Sequence, residues 1–377
     1  MKNVLLTIEN LSGGGAELVV ANLCRGLDRE LFNVKVCCLN ELGERGEQLR
    51  AEGFEVEVLP GGERRQDKYF KWLQLRRFMA KHETDLVHSH SPGSLFDSVP
   101  AAWLSRRARH VHTFHFGNYP NTSKKRLLLE KFFARGADGL VAVGIEQRRV
   151  ISEVFGLKPE SLSVVWNGIR IPDLPREPLV TADSAKDGRT KLVLGSLSTL
   201  SEQKGLTYLL DAIGILSRTR RDFELRIVGE GPLRPSLVAK AKSLGLEDLV
   251  RFEGWIPDAA NVVLPAMDIF VQSSLWEAMS MVVLEAMAAG KPVIVTDVGD
   301  NRHVIESGVN GILVPTKSPA RMADELNKLM SDRDIRKTLG TRARASVSGN
   351  CSIGAMINQY QRVYLEILEG RAIEATH

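Results

Sequence analysis

Short apolar, β-branched runs alternate with helical patterns along nearly the whole chain, and they fall into two series. The first runs from "NVLLTI" through a glycine loop and the helical "AELVVANLCRGL" to "NVKVCCL", "FEVEVL", "DLVHSH", "HVHTFH" and "GLVAVG". The second begins after residue 190 with "KLVLGSL" and continues through "ELRIVGEG", "LVRFEGW", "DIFVQSS", "PVIVTD" and "GILVP", with helical patterns such as "TYLLDAIGIL" and "VVLEAMAAG" between them. Strands that are apolar without alternation and separated by helices specify a parallel sheet covered on both faces. Between the two series, residues 171–190 are polar, bear prolines and show no period, as a linker does. A chain of 377 residues is long enough for two cores. The expected plan is therefore a doubly wound α/β domain over 1–170, a linker over 171–190, and a second such domain over 191–350. A closing helix over 351–377 is placed to pack back on the first domain. Paired domains of this type hold ligands between them, at the carboxyl ends of their strands.

Composition narrows the classes. No apolar run approaches the roughly 20 residues that cross a bilayer, and "MKNVLLTIENLSGGG" passes from strand into glycines instead of a cleavage site, so a cytoplasmic protein is expected. Cys24, Cys37, Cys38 and Cys351 have no C-x-x-C spacing and read as free thiols in a reducing compartment. The net charge is +4, unevenly spread: seven basic residues against one acid over 64–81, and eight against one over 106–135. The first stretch sets Tyr69, Phe70, Trp72, Leu73 and Leu75 among Arg and Lys, which fits either a solvated surface helix or one lying on an anionic membrane at its inner face; such a membrane surface is expected to meet both 64–81 and 106–135. Nucleic acid is not expected, since the basic residues occupy one half of the chain with no recognition motif.

The segment "SSLWEAMSMVVLEAMAAGKPVIVTD" places Glu277 and Glu285 eight positions apart. Ser280 is positioned to cap a helix over 281–289, which Gly290 and Pro292 stop. On one continuous helix the carboxylates would be separated by about 12 Å along the axis and about 80° around it. With Glu277 in the preceding loop they can reach two parts of one extended ligand. The free N–H groups of Met281, Val282 and Val283 between them favour phosphate.

This segment resembles the signature of the retaining glycosyltransferases of the GT-B fold, family four or group one, in which Glu, seven residues and Glu precede Ala-Met-Ala and Gly-Lys-Pro-Val. Further matches run in order along the chain: "GGGAE" (13–17), "DLVHSH" (85–90), "HTFH" (112–115), "VVWNGI" (164–169), "EQKG" (202–205), "RIVGEGP" (226–232), "VRFEGWIPD" (250–258) and "NGILVP" (310–315). The resemblance implies two Rossmann-like domains facing a central cleft, the first binding acceptor and the second a nucleotide-sugar. It implies transfer of the sugar with retention to a glycan or lipid-linked acceptor in envelope or exopolysaccharide synthesis, with no cofactor and no obligatory metal. UDP is the default base and GDP the second. Carried over residue by residue, Glu285 binds the donor ribose, Glu277 lies beside the transferred sugar, and Lys204 holds the diphosphate. Gly14 and Gly15 let backbone approach the ligand, His115 projects toward the sugar, and the segments at Gly229 and Ile256 line the nucleobase pocket. The two domains are expected to close over the donor, with attack on the front face or through a covalent intermediate.

Departures and alternatives are equally specific. The family's Arg ahead of Lys-Gly is replaced by Ser196 or Thr199, depending on alignment, which removes a bidentate phosphate contact. Ala278 stands for a usual glycine, Asp300 and His303 for a glycine and a glutamate, and Arg170 for an aspartate. A binding subunit without catalysis is thus the alternative reading. A dinucleotide fingerprint fails because Leu18 takes the third glycine's place. A hydrolase gives no reason for Lys204. Of eight histidines, His88, His90, His110, His112 and His115 fall together, and His-x-His on a strand points both rings one way. Zinc would be one use of them, while the resemblance places His90, His112 and His115 at strand ends facing the cleft.

Overall fold

The computed structural model describes residues 1–60, 71–172 and 191–371. It divides into two compact units, Met1–Gly168 with Ile353–His377, and Ile169–Ser352. Residues 173–190 of the expected linker and 64–70 of the first basic stretch lie outside the described residues. The remainder of that stretch forms the helix Lys71–Lys81, which buries Leu75 and Met79.

The first unit carries seven strands, β1 (Lys2–Asn10), β2 (Phe32–Glu41), β3 (Val56–Val58), β4 (Leu86–Ser89), β5 (Arg109–Phe114), β6 (Gly139–Ala142) and β7 (Leu162–Val164). They lie in the order β3-β2-β1-β4-β5-β6-β7, and every neighbouring pair is parallel. β1 is central and buried from Val4 to Ile8, as its unbroken apolar run requires. The chain turns one way from β1 to β2 and the other way to β4, so the switch point lies beside β1.

The last helix, Ile353–Leu368, belongs to this unit, and its Met356, Ile357, Tyr360, Val363 and Tyr364 complete the core around β1 and the helix Gly15–Gly26. Gly26 permits that contact, since a Cβ there would stand 2.7 Å from Ile357 Cγ1. A polar chain fixes the helix to the sheet. Tyr364 Oη lies 2.6 Å from His88 Nδ1, His88 Nε2 lies 2.7 Å from Thr113 Oγ1, and Tyr360 Oη lies 3.2 Å from Thr113.

The other histidines share that region. His110 and His112 point to one face of β5 and meet the Ser89 hydroxyl at 3.0 and 2.8 Å, while the His88 and His90 rings meet at a tilt of 42° on the opposite face, with centroids 3.9 Å apart. His112 is therefore buried inside β5 rather than exposed at a strand end. Burial is the first cause that pushes all five imidazoles down, His110 and His115 to about 3, although part of His115 still reaches solvent. Among the described residues, the three ligand-type side chains within reach of one another are Glu55, Glu57 and His82, not these histidines.

The second unit carries β8 (Leu192–Leu197), β9 (Phe223–Val228), β10 (Val250–Gly254), β11 (Ile269–Gln272), β12 (Val293–Thr296) and β13 (Ile312–Val314). Their order is β10-β9-β8-β11-β12-β13, again all parallel. Leu194, Leu225, Ile269 and Ile294 pack against Leu209, Ile213 and Leu326 from the flanking helices. The switch point lies between β8 and β11. Ile169 bridges to Ser352, so Ile169 and Arg170 sit with this unit. Among the described residues no helix is long and apolar enough to cross a membrane.

Two outcomes follow from the buried polar chain. Tyr364→Phe strands His88 Nδ1 without a partner and is expected to lower unfolding stability by about 1–3 kcal/mol, read as a lower urea midpoint at unchanged slope. The depressed histidines set the pH dependence: the unfolded chain takes up protons near pH 6.5, whereas the folded imidazoles stay neutral down to about 3 for His110 and His115. Stability is then complete above pH 6.5 and falls as pH drops toward 3, by up to about 1.4 kcal/mol per pH unit for each histidine. Urea midpoints at pH 7.5 and 5.5 check this; equal midpoints would exclude neutral burial.

Candidate functional site

The residues expected to bind a donor emerge from adjacent strands of the second unit, all at carboxyl ends. Lys204 follows β8, Gly229 follows β9, Ile256 follows β10, and Glu277 follows β11. Since β8 and β11 are neighbours at the switch point, their loops converge, and Lys204 Nζ donates to Glu277 Oε1 at 2.6 Å. Lys204 is 18% and Glu277 8% exposed by side chain, so the pair is shielded from bulk water on most sides. Two further donors orient the carboxylate. Ser274 Oγ reaches Oε1 at 2.7 Å, and Gln203 Nε2 reaches Oε2 at 3.1 Å while also holding the Trp276 carbonyl. A carboxylate with three donors is fixed in direction.

Glycines let the loops approach this closely. Gly205 has φ +56°, ends the single turn Glu202–Lys204, and leaves no room for a Cβ, which would stand 2.2 Å from Ser273 O. Gly299 has φ +52° and presses on the carbonyls of Glu277 and Ala278 at 2.4 and 2.5 Å from a would-be Cβ. The backbone of Asp300 then donates to Ala278 O at 2.9 Å, locking the loop that carries Glu277. Gly229, φ +132°, likewise lies against Ser198 O, so the turn after β9 packs on the loop after β8.

The helix Met281–Ala288 starts four residues after Glu277 and carries Glu285 on its second turn, half-buried. Its start differs from expectation in one respect. Ser280 occupies the cap position with extended backbone, but its hydroxyl accepts from Gln272 Nε2 at 2.7 Å and makes no bond to the first turn. Gln272, held in turn by Asn301 at 3.4 Å, wins the hydroxyl because both are buried at the end of β11. The N–H groups of Met281, Val282 and Val283 are therefore left without a side-chain cap, available to an anion. The helix ends at Ala288, one residue earlier than expected, before Gly290 at φ +69°.

Residues of the first unit occupy equivalent strand ends. Gly14 is the N-cap of the helix Gly15–Gly26, so Gly15 lies in its first turn, not in the loop. A Cβ on Gly14 would meet the Glu17 carboxylate at 2.4 Å. His115 follows β5, and its Nε2 lies 3.1 Å from His90 Nδ1, which follows β4. Sequence reasoning missed Gln203 and Ser274. The signals were present: Gln203 adjoins Lys204, and Ser274 stands three residues before Glu277, the spacing at which a serine reaches a following glutamate. As for the absent arginine, Ser196 is buried within β8, whereas Thr199 is exposed on the loop beyond it.

Comparison with known proteins agrees in both halves. Residues 13–171 match the family model Glycosyltransferase Family 4, and residues 181–346 match Glycosyl transferases group 1. D-inositol 3-phosphate glycosyltransferase of Thermobispora bispora is 30% identical over 318 residues, covering 76% of this chain and 71% of that one. The Escherichia coli UDP-Gal:alpha-D-GlcNAc-diphosphoundecaprenol alpha-1,3-galactosyltransferase is 24% identical over 309 residues, 78% of this chain and 79% of its own. Among solved structures, Anabaena Alr3699/HepE in complex with UDP-glucose superposes with a TM-score of 0.85 at 22% identity, over 97% of this chain and all of that one. With two Rossmann-like parallel sheets and these matches along most of its length, the chain belongs to the group 1 glycosyltransferases of the GT-B fold.

Proposed function

We propose that the protein moves a sugar from a UDP-sugar to a glycan or lipid-linked acceptor with retention at the anomeric carbon, and that Lys204 replaces a divalent metal at the diphosphate. The observation that carries this reading is the Lys204–Glu277 pair at the switch point, beside an uncapped helix start. Without a donor the two charges neutralise each other. An entering diphosphate competes for Lys204 and takes the N–H groups of Met281, Val282 and Val283, which frees Glu277 to face the sugar. UDP is favoured because the Escherichia coli relative is named for a UDP-sugar and the Anabaena structure holds UDP-glucose.

In the reaction, the bond between the anomeric carbon and the β-phosphate oxygen breaks as the acceptor oxygen attacks from the same face. The acceptor proton passes to the departing phosphate oxygen. Lys204 and the helix N–H groups stabilise the charge that builds on that phosphate, while Glu277 stabilises the cationic sugar. Glu285 holds the ribose diol, Gly229 and Ile256 border the base, and His115, Gly14 and Gly15 act at the carboxyl ends of the first unit's strands. A membrane-linked acceptor places the enzyme at the inner face of the membrane, in envelope or exopolysaccharide synthesis.

Calorimetric titration with UDP, GDP and ADP in the presence of EDTA tests the donor site. UDP is expected to bind saturably, with affinity at least about tenfold weaker in Lys204→Ala and in Glu285→Ala, each of which loses a charge-assisted contact. Binding by none of the three would instead support a binding subunit whose donor site has lapsed with the arginine absent at Thr199.

A further inference from the structure

A serine at the start of an apolar helix ordinarily turns its hydroxyl inward and accepts from the second or third N–H group, which satisfies the helix from within. Ser280 has the position and the extended backbone for that bond and does not make it. The first bond within the helix Met281–Ala288 runs from Leu284 N to Ser280 O at 3.3 Å, and among the described residues the N–H groups of Met281, Val282 and Val283 meet no acceptor. A buried relay explains where the hydroxyl goes.

The direction of every bond in that relay is dictated from one end. Thr296, the last residue of β12, offers a backbone carbonyl, which can only accept, and Asn301 Nδ2 donates to it at 2.9 Å. That orients the Asn301 amide, so the same NH₂ group faces Gln272, and the Gln272 atom it meets at 3.4 Å must be the oxygen. The Gln272 nitrogen therefore faces Ser280 and donates to its Oγ at 2.7 Å, holding the hydroxyl as an acceptor away from the helix. Thr296, Asn301, Gln272 and Ser280 are all buried, so water does not compete for these bonds. The Thr296 hydroxyl also donates to Ser274 O at 2.6 Å, and the Ser274 hydroxyl orients Glu277, so one relay reaches both the carboxylate and the helix start.

We propose that Gln272 is a positioning residue for the donor: by drawing the Ser280 hydroxyl off the helix, it keeps the Val282 and Val283 N–H groups open to a diphosphate. The proposal rests on the donor site of the glycosyl-transfer reading. Gln272 acts through Ser280 and not on the ligand. Once its amide is removed, Ser280 caps its own helix, and an entering phosphate has to displace a bond made within the fold.

Gln272→Met removes the amide at similar length and without branching, and Gln272→Leu is the second variant should the first not fold. Gln272→Met/Ser280→Ala removes both partners of the buried bond, a change close to neutral for folding. Two readouts are taken on the full chain, the affinity for UDP by calorimetry and the hydrogen exchange of the Val282 and Val283 amides. In Gln272→Met the UDP affinity is expected to fall about fivefold, the worth of a serine cap, and exchange of one or both amides to slow. The double variant should return both readouts to within about twofold of the parent, which a site damaged by repacking would not do. Unchanged affinity in Gln272→Met, a loss that Ser280→Ala does not rescue, or exchange that does not slow would each overturn the proposal. A parent chain that binds no UDP refutes the donor reading by itself, and the exchange readout then still decides whether Gln272 holds Ser280 off the helix.

Discussion

The ion pair between Lys204 and Glu277 organises the second unit's chemistry. A lysine and a carboxylate 2.6 Å apart, both largely shielded from water, are costly to assemble unless the remaining lone pairs are satisfied. Ser274 and Gln203 satisfy them, and the sheet order brings the two loops together in the first place. The positive-φ glycines at 205 and 299 are consequences of that approach: each lies where a neighbouring carbonyl fills the space a side chain would need. The uncapped helix start beside the pair adds a fixed positive end to the same place. Charge, direction and enclosure are therefore prepared before a ligand arrives, which is the condition under which electrostatic stabilisation contributes most to a reaction.

The first unit solves a different problem. Five histidines crowd two adjacent strands, and the fold keeps them neutral by burial and by supplying hydroxyls from Ser89, Thr113 and Tyr364. The last helix contributes Tyr360 and Tyr364 to that arrangement, so residues more than 240 positions away in sequence complete the core around β1. In the same unit the helix Lys124–Ala134 buries Glu130 and leaves Leu128 exposed.

Much of this was legible in the sequence, for identifiable reasons. Strands such as β1 and β8 announce themselves because a parallel sheet buries both faces and leaves an unbroken apolar run. Lys204, Glu277 and Glu285 were found through the order and spacing of motifs around them, not through their own chemistry. What escaped was competition between polar groups. A serine ahead of an apolar helix reads as a side-chain cap, but nothing local says that Gln272 will take the Ser280 hydroxyl. That Gln203 would reach Glu277 depended on knowing that β8 and β11 are neighbours, which is a property of topology.

The most direct measurement is turnover of Glu277→Gln with the UDP-sugar that proves to be the donor, alongside its affinity for UDP. Glutamine keeps the size and most hydrogen bonds of glutamate but removes the charge assigned to stabilising the sugar cation. The account predicts a fall in kcat on the order of a hundredfold with UDP affinity changed by less than about threefold. Turnover within about threefold of the parent would contradict it, and would leave the pair with a structural role only.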